Sequence, residues 1–331
     1  MIRSALALCA ALLASVSGAA TARDIVLTND DGLTSNVVAL YRALKAAGHD
    51  VIVSVPCQDQ SGMGAAIRIG RPLGPLTEDC RNGAAKAGAP GAGPMTREGL
   101  ATDFFYVDGT PVMALLYGLD VAAAKRWGHA PDLVLSGPNE GQNLGAIIIS
   151  SGTVGNVQTA ALRGIPAIAL SAGSNTAGSP AAPLANPASS QVAARTVELL
   201  NALGTSEGAP LLPAGIALNV NFPSQLEGAN WRRTKVGNWN AYRLRFVESM
   251  ADDAPPLMQT MAEHRGVALP DLPGVAIAMN ESAPAPSEQN DESAANAKDI
   301  TVSALQAGYG AGGSGEWLDA RLQSLAAPQR R

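Results

Sequence analysis

The stretch Ile25–Gly32, IVLTNDDG, begins with a short apolar run and ends in a polar turn. The apolar residues predict a buried strand, and the glycine ends it. Two adjacent carboxylates, Asp30 and Asp31, cost free energy at the end of such a strand unless a cation neutralises them, and hard divalent cations prefer carboxylate oxygen. The polar residues also suit a solvated turn, so the octet alone leaves a metal site and a plain turn as alternatives.

Apolar runs and helical periodicities alternate along the first two thirds of the chain. Strands are predicted at 24–28, 51–55, 104–107, 133–135, 167–170 and 216–221, and helices at 36–47, 111–124, 154–162 and 190–203. This alternation predicts an α/β fold with a doubly wound, mostly parallel sheet and helices on both faces. We assign residues 23–223 to this core. Within it, residues 81–99 are rich in Gly, Ala and Pro and predict an insertion with little order.

The remaining segment, residues 224–331, differs from the core in its composition and in its pattern of apolar residues. Residues 231–248 are aromatic and alternating, which predicts a β-hairpin, and they precede a Pro-rich stretch, a short strand at 300–305 and a terminal helix at 317–325. A lone hairpin needs another surface to cover its apolar face. That surface is either the chain's own core or a second subunit, and we expect this segment to be an oligomerisation element.

Residues 1–22 predict a secretory signal peptide. Arg3 gives a basic start, an apolar run follows from Ala5 to Val16, and the small residues before position 23 favour cleavage after Ala22. The run is too short to span a bilayer, and no later stretch is long and apolar enough to do so. The expected location is therefore periplasmic or secreted.

The net charge and the cysteine content indicate which partners and which covalent bonds to expect. The net charge is −5 and there is no basic stripe, so we expect neither nucleic-acid polymers nor anionic membranes as partners. Cleavage of the signal would leave two cysteines, Cys57 and Cys80. In an exported protein such a pair favours a disulfide, with two separate buried thiols as the alternative.

Four polar loops lie at the carboxyl ends of the predicted strands, where ligands bind in open α/β sheets, and the fourth of them opens a helix. Asp30 and Asp31 would supply charge to a cation, and Ser61 and Asn139 would supply neutral oxygens. The helix start at 152–153 exposes backbone N–H groups that suit a phosphate. Each loop also has a plain interpretation, such as an Asx turn at Asn139 or a helix N-cap at 151. Their combination indicates a metal-assisted phosphate-ester site. The loops are 29–32, 59–62, 136–145 and 150–153.

Seven motifs in this region occur together in one order over residues 24–223. They are Asn29-Asp30-Asp31-Gly32, Gln60-Ser61-Gly62, Asp108-Gly109-Thr110-Pro111, the decapeptide SGPNEGQNLG at 136–145, Ser151-Gly152-Thr153-Val154, Gly164-Ile165-Pro166-Ala167 and the hexapeptide LNVNFP at 218–223. With these motifs the chain resembles the SurE family of survival-protein nucleotidases, which are metal-dependent phosphatases. Two positions depart from the family pattern, because Met113 and Thr159 stand where an acidic residue is usual.

The resemblance implies a function and a set of site residues. The function would be hydrolysis of nucleoside monophosphates by a homodimer or tetramer that holds one divalent cation, Mg²⁺ or Mn²⁺. A broad-range exported acid phosphatase and a non-catalytic nucleotide- or phosphate-binding protein remain alternatives, although phosphate capture alone does not need paired carboxylates. The implied metal ligands are Asp30, Asp31, Ser61 and Asn139; the catalytic residues are Asp30, Asp31 and Asn139; and the phosphate or substrate residues are Asn29, Asn143, Ser151, Gly152 and Thr153. Whether an aspartate acts as nucleophile or base stays open.

Overall fold

A computed structural model describes residues 22–204 and 211–310 of the chain. The predicted signal peptide, apart from Ala22, and the predicted terminal helix at 317–325 lie outside the described residues. Within the described ranges, no helix combines the length and the apolar character that a membrane span requires.

Nine strands form one large sheet in the order β3-β4-β2-β1-β5-β6-β7-β11-β8. Only the pairs β3–β4 and β7–β11 are antiparallel in this sheet, which confirms the prediction of a mostly parallel α/β fold. Strands β9 and β10 form a separate two-stranded antiparallel sheet. The strands are β1 (Asp24–Thr28), β2 (Asp50–Pro56), β3 (Ala92–Pro94), β4 (Phe104–Val107), β5 (Leu133–Glu140), β6 (Ala167–Ala172), β7 (Ile216–Asn221), β8 (Trp231–Thr234), β9 (Tyr242–Val247), β10 (Gly274–Met279) and β11 (Ile300–Gln306).

Helices cover both faces of this sheet. Along β1, Ile25 and Leu27 pack into the core beneath α1 and α5, while Val26 packs into the core beneath α2 and α4. The alternation follows from the two-residue period of a strand, and it explains why a strand buried on both faces is apolar throughout. The helices are α1 (Ser35–Ala46), α2 (Pro111–Tyr117), α3 (Ala124–Arg126), α4 (Gly152–Leu162), α5 (Pro187–Leu203), α6 (Met250–Asp253), α7 (Pro256–Arg265) and α8 (Glu292–Ala295).

Strand β5 runs further than the predicted residues 133–135 and enters the polar loop predicted at 136–145. Its register against β6 shifts between Ser136 and Asn139, where one extra residue bulges out. Gly137 makes the bulge possible, because it has a φ of 111° and a Cβ there would lie 2.1 Å from the Leu170 carbonyl oxygen. The bulge carries Asn139 to the carboxyl edge of the sheet.

The segment 81–99 is ordered, contrary to the prediction. It contains β3, which pairs with β4, and it buries Ala84 and Ala85 in the main core. A disulfide joins Cys57 at the end of β2 to Cys80 with Cα atoms 4.7 Å apart, which confirms the predicted bond. The covalent link and the small buried side chains explain how a segment rich in Gly and Ala acquires a fixed structure.

The predicted hairpin at 231–248 is wrong. Strand β8 pairs in parallel with β11 in the main sheet, whereas β9 pairs with β10. The loop between β8 and β9 is instead held by buried Asp291, whose carboxylate accepts hydrogen bonds of 2.9 Å from the N–H groups of Asn238 and Trp239. The main sheet thus takes strands from both sides of residue 223.

Candidate functional site

The turn after β1 is fixed by Asn29. Its side chain donates to the Gly32 carbonyl at 2.7 Å and accepts from the Gly32 N–H at 3.1 Å, and Asn29 is fully buried. Gly32 has a φ of 83°, which favours glycine. Asn29, predicted to contact substrate, therefore shapes the turn that presents the two aspartates.

Asp30 lies at the start of α4. The Thr153 hydroxyl donates to Asp30 Oδ1 at 2.6 Å, and the backbone N–H of Thr153 also bonds to this carboxylate. A Cβ on Gly152 would lie 3.0 Å from Asp30 Oδ2, so the helix end and the carboxylate are in direct contact. Ser151 caps the helix by accepting from the Val154 N–H at 3.1 Å. The structure thus brings Asp30, Gly152 and Thr153 together.

Asp31 meets the end of β5. The Glu140 N–H donates to Asp31 Oδ2 at 3.1 Å. The preceding residue, Asn139, donates its amide N–H to the Gly141 carbonyl at 2.7 Å, while its Oδ1 is buried without a hydrogen-bond partner. A buried amide oxygen with no donor is costly, and a cation would satisfy it.

Ser61 reaches the same edge, but its hydroxyl is engaged elsewhere. The Gln60 N–H donates to the Asp30 carbonyl at 2.9 Å, which holds the loop beside the turn. The Ser61 hydroxyl and N–H both bond to Asp59 Oδ1, at 2.6 and 2.8 Å, and the residue is exposed. Ser61 is therefore close in the fold to Asp30 but is bonded to Asp59.

Asn143 belongs to a buried polar network beneath the loop. Its side chain donates to the Ser171 hydroxyl at 2.9 Å, and its N–H donates to Asn221 Oδ1 at 2.8 Å. Glu292 of α8, fully buried, accepts from the Gly145 N–H at 2.9 Å and from the Asn219 amide. The sequence reasoning missed Glu292, because nothing local links it to a loop 147 residues away.

A cavity of about 1050 Å³ opens from Asp31 toward the C-terminal segment. Its polar end includes Asp59, Arg81 and Glu140 beside Asp31, none of which was predicted as a site residue. The sequence did hold one indication for Arg81. The predicted disulfide brings Cys80 to Cys57 near the site, and Arg81 is the next residue. The rest of the lining consists of Gln142, Ile147, Ser174, Asn175, Ala177, Gly178, Ser179, Pro180, Ala185, Asn186, Pro187, Tyr242, Leu257 and Ile277.

The site concentrates negative charge in a buried place. Burial raises the pKa of the Asp31 carboxyl well above its usual range, and the charges of Asp30, Glu140 and Asp59 raise it further, while Arg81 opposes them. Burial also raises the pKa of Asp30, against the hydrogen bonds from Thr153. A bound divalent cation would provide the charge that favours both ionised carboxylates.

The oxygen donors suit a hard cation. Two carboxylates and the unpartnered Asn139 oxygen are ligands that Mg²⁺ or Mn²⁺ accepts. In residues 22–204 and 211–310, no group of three or more His, Cys, Asp or Glu side chains is arranged to hold a metal. The candidate set is of a different kind, with two aspartates and neutral oxygens, so the residues present fit such an ion.

Fold and site define a class: doubly wound α/β proteins with paired aspartates at the carboxyl edge of the sheet, facing a helix N-terminus. The chain belongs to the family described as survival protein SurE, whose model matches residues 25–243. The family resemblance inferred from the motifs is thereby confirmed.

Individual relatives carry two different names. An acid phosphatase from Yarrowia lipolytica is 38% identical over 205 residues, which cover 60% of this chain and 56% of the relative. A 5'-nucleotidase SurE from Sorangium cellulosum is 35% identical over 215 residues, covering 64% of this chain and 69% of the relative. The crystal structure of the SurE protein from Aquifex aeolicus matches with a TM-score of 0.62 and 26% identity over 91% of this chain and 99% of that one. The chain thus spans little more than half the length of the acid phosphatase.

Proposed function

We propose that this protein is a metal-dependent phosphomonoesterase that hydrolyses nucleoside monophosphates to nucleoside and phosphate. The observation that carries the proposal is the buried carboxylate of Asp30 hydrogen-bonded to the first turn of α4. A cation site and a phosphate site then adjoin, because the N–H groups at a helix start bind phosphate well. The names of the relatives from Sorangium cellulosum and Yarrowia lipolytica agree with a phosphate-ester substrate.

Asp30, Asp31 and Asn139 would hold one divalent cation, Mg²⁺ or Mn²⁺. Ser61 would join them on giving up its bond to Asp59. When bound, such an ion would act as a Lewis acid on a phosphoryl oxygen and would lower the pKa of a bound water. Thr153 fixes the orientation of Asp30, and the Glu140 N–H fixes that of Asp31, so the protein holds both carboxylates before substrate arrives.

The phosphoryl group would lie against the start of α4. It would approach the N–H of Gly152, since the N–H of Thr153 already bonds to the Asp30 carboxylate. Ser151 shapes this end of the helix by capping the Val154 N–H, and the network around Asn143 holds the facing loop. These residues would bind and orient the ester, and the helix dipole would favour its negative charge.

The size of the cavity favours a nucleoside as the leaving group. About 1050 Å³ far exceeds what a phosphate needs and lies at the upper end of ligand pockets. Its lining includes Tyr242, Leu257 and Ile277 of the C-terminal segment, which offer an aromatic and an apolar surface to a base. Asn175 and Asn186 also belong to the lining, and their amide N–H groups bond to backbone carbonyls.

A panel of esters tests the proposal. The protein without residues 1–22 is stripped of metal, supplied with Mg²⁺ or Mn²⁺, and assayed with nucleoside 5'- and 3'-monophosphates and with an aryl phosphate. We expect turnover only with metal, and a higher kcat/KM for the nucleotides. Equal kcat/KM for all esters would favour the broad-range acid phosphatase named by the Yarrowia lipolytica relative. Binding without turnover would favour a nucleotide-binding protein and contradict the proposal.

We also propose that the protein is exported and self-associates through the β9–β10 sheet. Tyr242, Leu244 and Phe246 lie opposite Met279, Ile277 and Val275 on one face of this sheet. The exposed fraction is 53% for Leu244 and 72% for Phe246, so the face is largely open to water. An apolar face of this kind marks an interaction surface, here for a homodimer or tetramer. Light scattering that gives a monomer mass at all concentrations would contradict the assembly, and N-terminal sequencing of the secreted protein tests cleavage after Ala22.

A further inference from the structure

The cavity has an unusual charge distribution for a site that receives a phosphate ester. Three carboxylates from Asp31, Asp59 and Glu140 line its polar end, and Arg81 is the one cationic side chain among the described lining residues. A phosphate monoester carries about two negative charges at neutral pH, so it approaches these carboxylates against repulsion. One divalent cation offsets only part of that repulsion.

We propose that Arg81 is a substrate-binding residue whose guanidinium holds a phosphoryl oxygen at the mouth of the metal site. The inference rests on the proposed phosphomonoesterase function. The guanidinium donates to the Asp31 carbonyl and to Glu140 Oε2, each at 2.7 Å. These bonds engage two of the five N–H groups of an arginine. The side chain is 29% exposed, and it belongs to the lining of the cavity.

The chain holds the backbone of Arg81 on both sides. The Arg81 N–H donates to the Cys57 carbonyl at 2.8 Å, and Cys80 is joined to Cys57 by the disulfide. On the other side, the Asn82 side chain donates to the Leu33 carbonyl at 2.8 Å. Arg81 is thus tied to the end of β2 and to the residue that follows the aspartate turn. A cation held in this way binds an anion with little further loss of conformational freedom.

Arginine suits this position better than lysine. The planar guanidinium can keep its bonds to Asp31 and Glu140 while it directs another N–H toward a phosphoryl oxygen. The ammonium of lysine offers one point of charge, so it cannot hold the same three acceptors in that geometry. The bonds to Asp31 and Glu140 also hold the guanidinium beside the metal site instead of in the open cavity.

Two methionine variants distinguish a role of Arg81 in phosphate binding from a role in holding the structure of the segment 81–99. Arg81→Met removes the proposed contact. Arg97→Met is the matched control, because Arg97 lies in the same segment and donates to the Asn82 carbonyl, yet it does not line the cavity. The protein without residues 1–22, loaded with Mn²⁺, is titrated calorimetrically with inorganic phosphate. KM and kcat for a nucleoside monophosphate, the Mn²⁺ affinity and the thermal midpoint are measured on the same samples.

We expect Arg81→Met to weaken phosphate binding and to raise KM about 10- to 100-fold, the range of one charge-assisted hydrogen bond. Its Mn²⁺ affinity should be unchanged or higher, because a positive charge near the ion is removed. Arg97→Met should bind phosphate like the unaltered protein. Arg81→Lys should fall between the two, and it serves as the test if Arg81→Met does not fold.

Three outcomes are decisive. Unaltered phosphate affinity in Arg81→Met overturns the inference and leaves the proposed function standing. Equal losses in Arg81→Met and Arg97→Met also overturn it, because the effect would then come from the segment and not from the guanidinium. If the unaltered protein binds phosphate through Arg81 but hydrolyses no ester, the inference holds and the proposed function fails.

Discussion

Gly152→Ala is the most direct test of the contact between Asp30 and α4. An added Cβ would lie 2.6 Å from Pro111 Cγ and 2.7 Å from Asp30 Cβ, whereas ordinary carbon contacts lie at about 3.5–4.0 Å. The methyl group therefore needs about 1 Å of extra room on two sides. Asp30 or the start of α4 must move, and the bond from Thr153 to Asp30 moves with them.

Two effects on stability oppose each other. Ala is favoured over Gly by about 1 kcal/mol in a helix interior, and Gly152, as the first residue of α4, gains at most that much. Forcing a methyl group into a packed site costs about 1–3 kcal/mol, so we expect a net destabilisation of roughly 0–3 kcal/mol and a larger effect on function. A displacement of about 1 Å at a catalytic group can lower the rate about 100-fold.

The assay measures thermal midpoint, Mn²⁺ affinity and turnover of a nucleoside monophosphate. Gly74→Ala is the control, since no atom lies within 4 Å of a Cβ placed there. We expect Gly74→Ala to match the unaltered protein, and Gly152→Ala to lose Mn²⁺ affinity and about two orders of magnitude in turnover. Full turnover in Gly152→Ala would refute the assignment of the helix start to the site.

Three further predictions concern single groups. Asp30→Asn should abolish metal-dependent turnover without lowering the thermal midpoint, because it relieves carboxylate repulsion; residual turnover with Mn²⁺ would contradict its role as a ligand. Reduction of Cys57–Cys80 should cost roughly 3 kcal/mol by the chain-entropy model, and equal thermal midpoints with and without reductant would count against it. Burial, and then the charge of Arg23, lower the pKa of His49 below its ordinary 6.5. The unfolded chain therefore binds a proton at His49 more readily than the folded chain does. The free energy of unfolding should fall as the pH drops below about 6.5. Urea midpoints at pH 7 and 5 measure this loss; His49→Gln should reduce it, and an equal loss in that variant would contradict the assignment.

Local sequence predicted the core and the edge of the site well. Strand β1 has the predicted bounds, since an apolar run followed by an Asx turn is defined by adjacent residues. Asp30 and Thr153 lie 123 positions apart, yet their contact follows from topology, because the carboxyl ends of parallel strands share one edge. The position of the turn therefore places Asp30 near the start of a helix that follows another strand.

The sequence patterns did not predict which strands pair with each other or which residues far apart in the chain come into contact. Alternation predicted strands at β8 and β9, but it carries no information about which strand each pairs with. The order of residues 81–99 depends on the disulfide and on burial of small side chains, neither of which appears as periodicity. Glu292 reaches Gly145 only because β11 returns to the main sheet.

The place of β11 sets the order in which the molecule can assemble. This strand, residues 300–306, lies between β7 and β8, and β8 has no other partner in the sheet. A ribosome that has not yet produced these residues leaves β7 with an open edge and β8 without a partner in the sheet. The nascent chain therefore completes the main sheet only after residue 306 has been made, and a product truncated before Ile300 would be prone to pair the open edge of β7 with other chains.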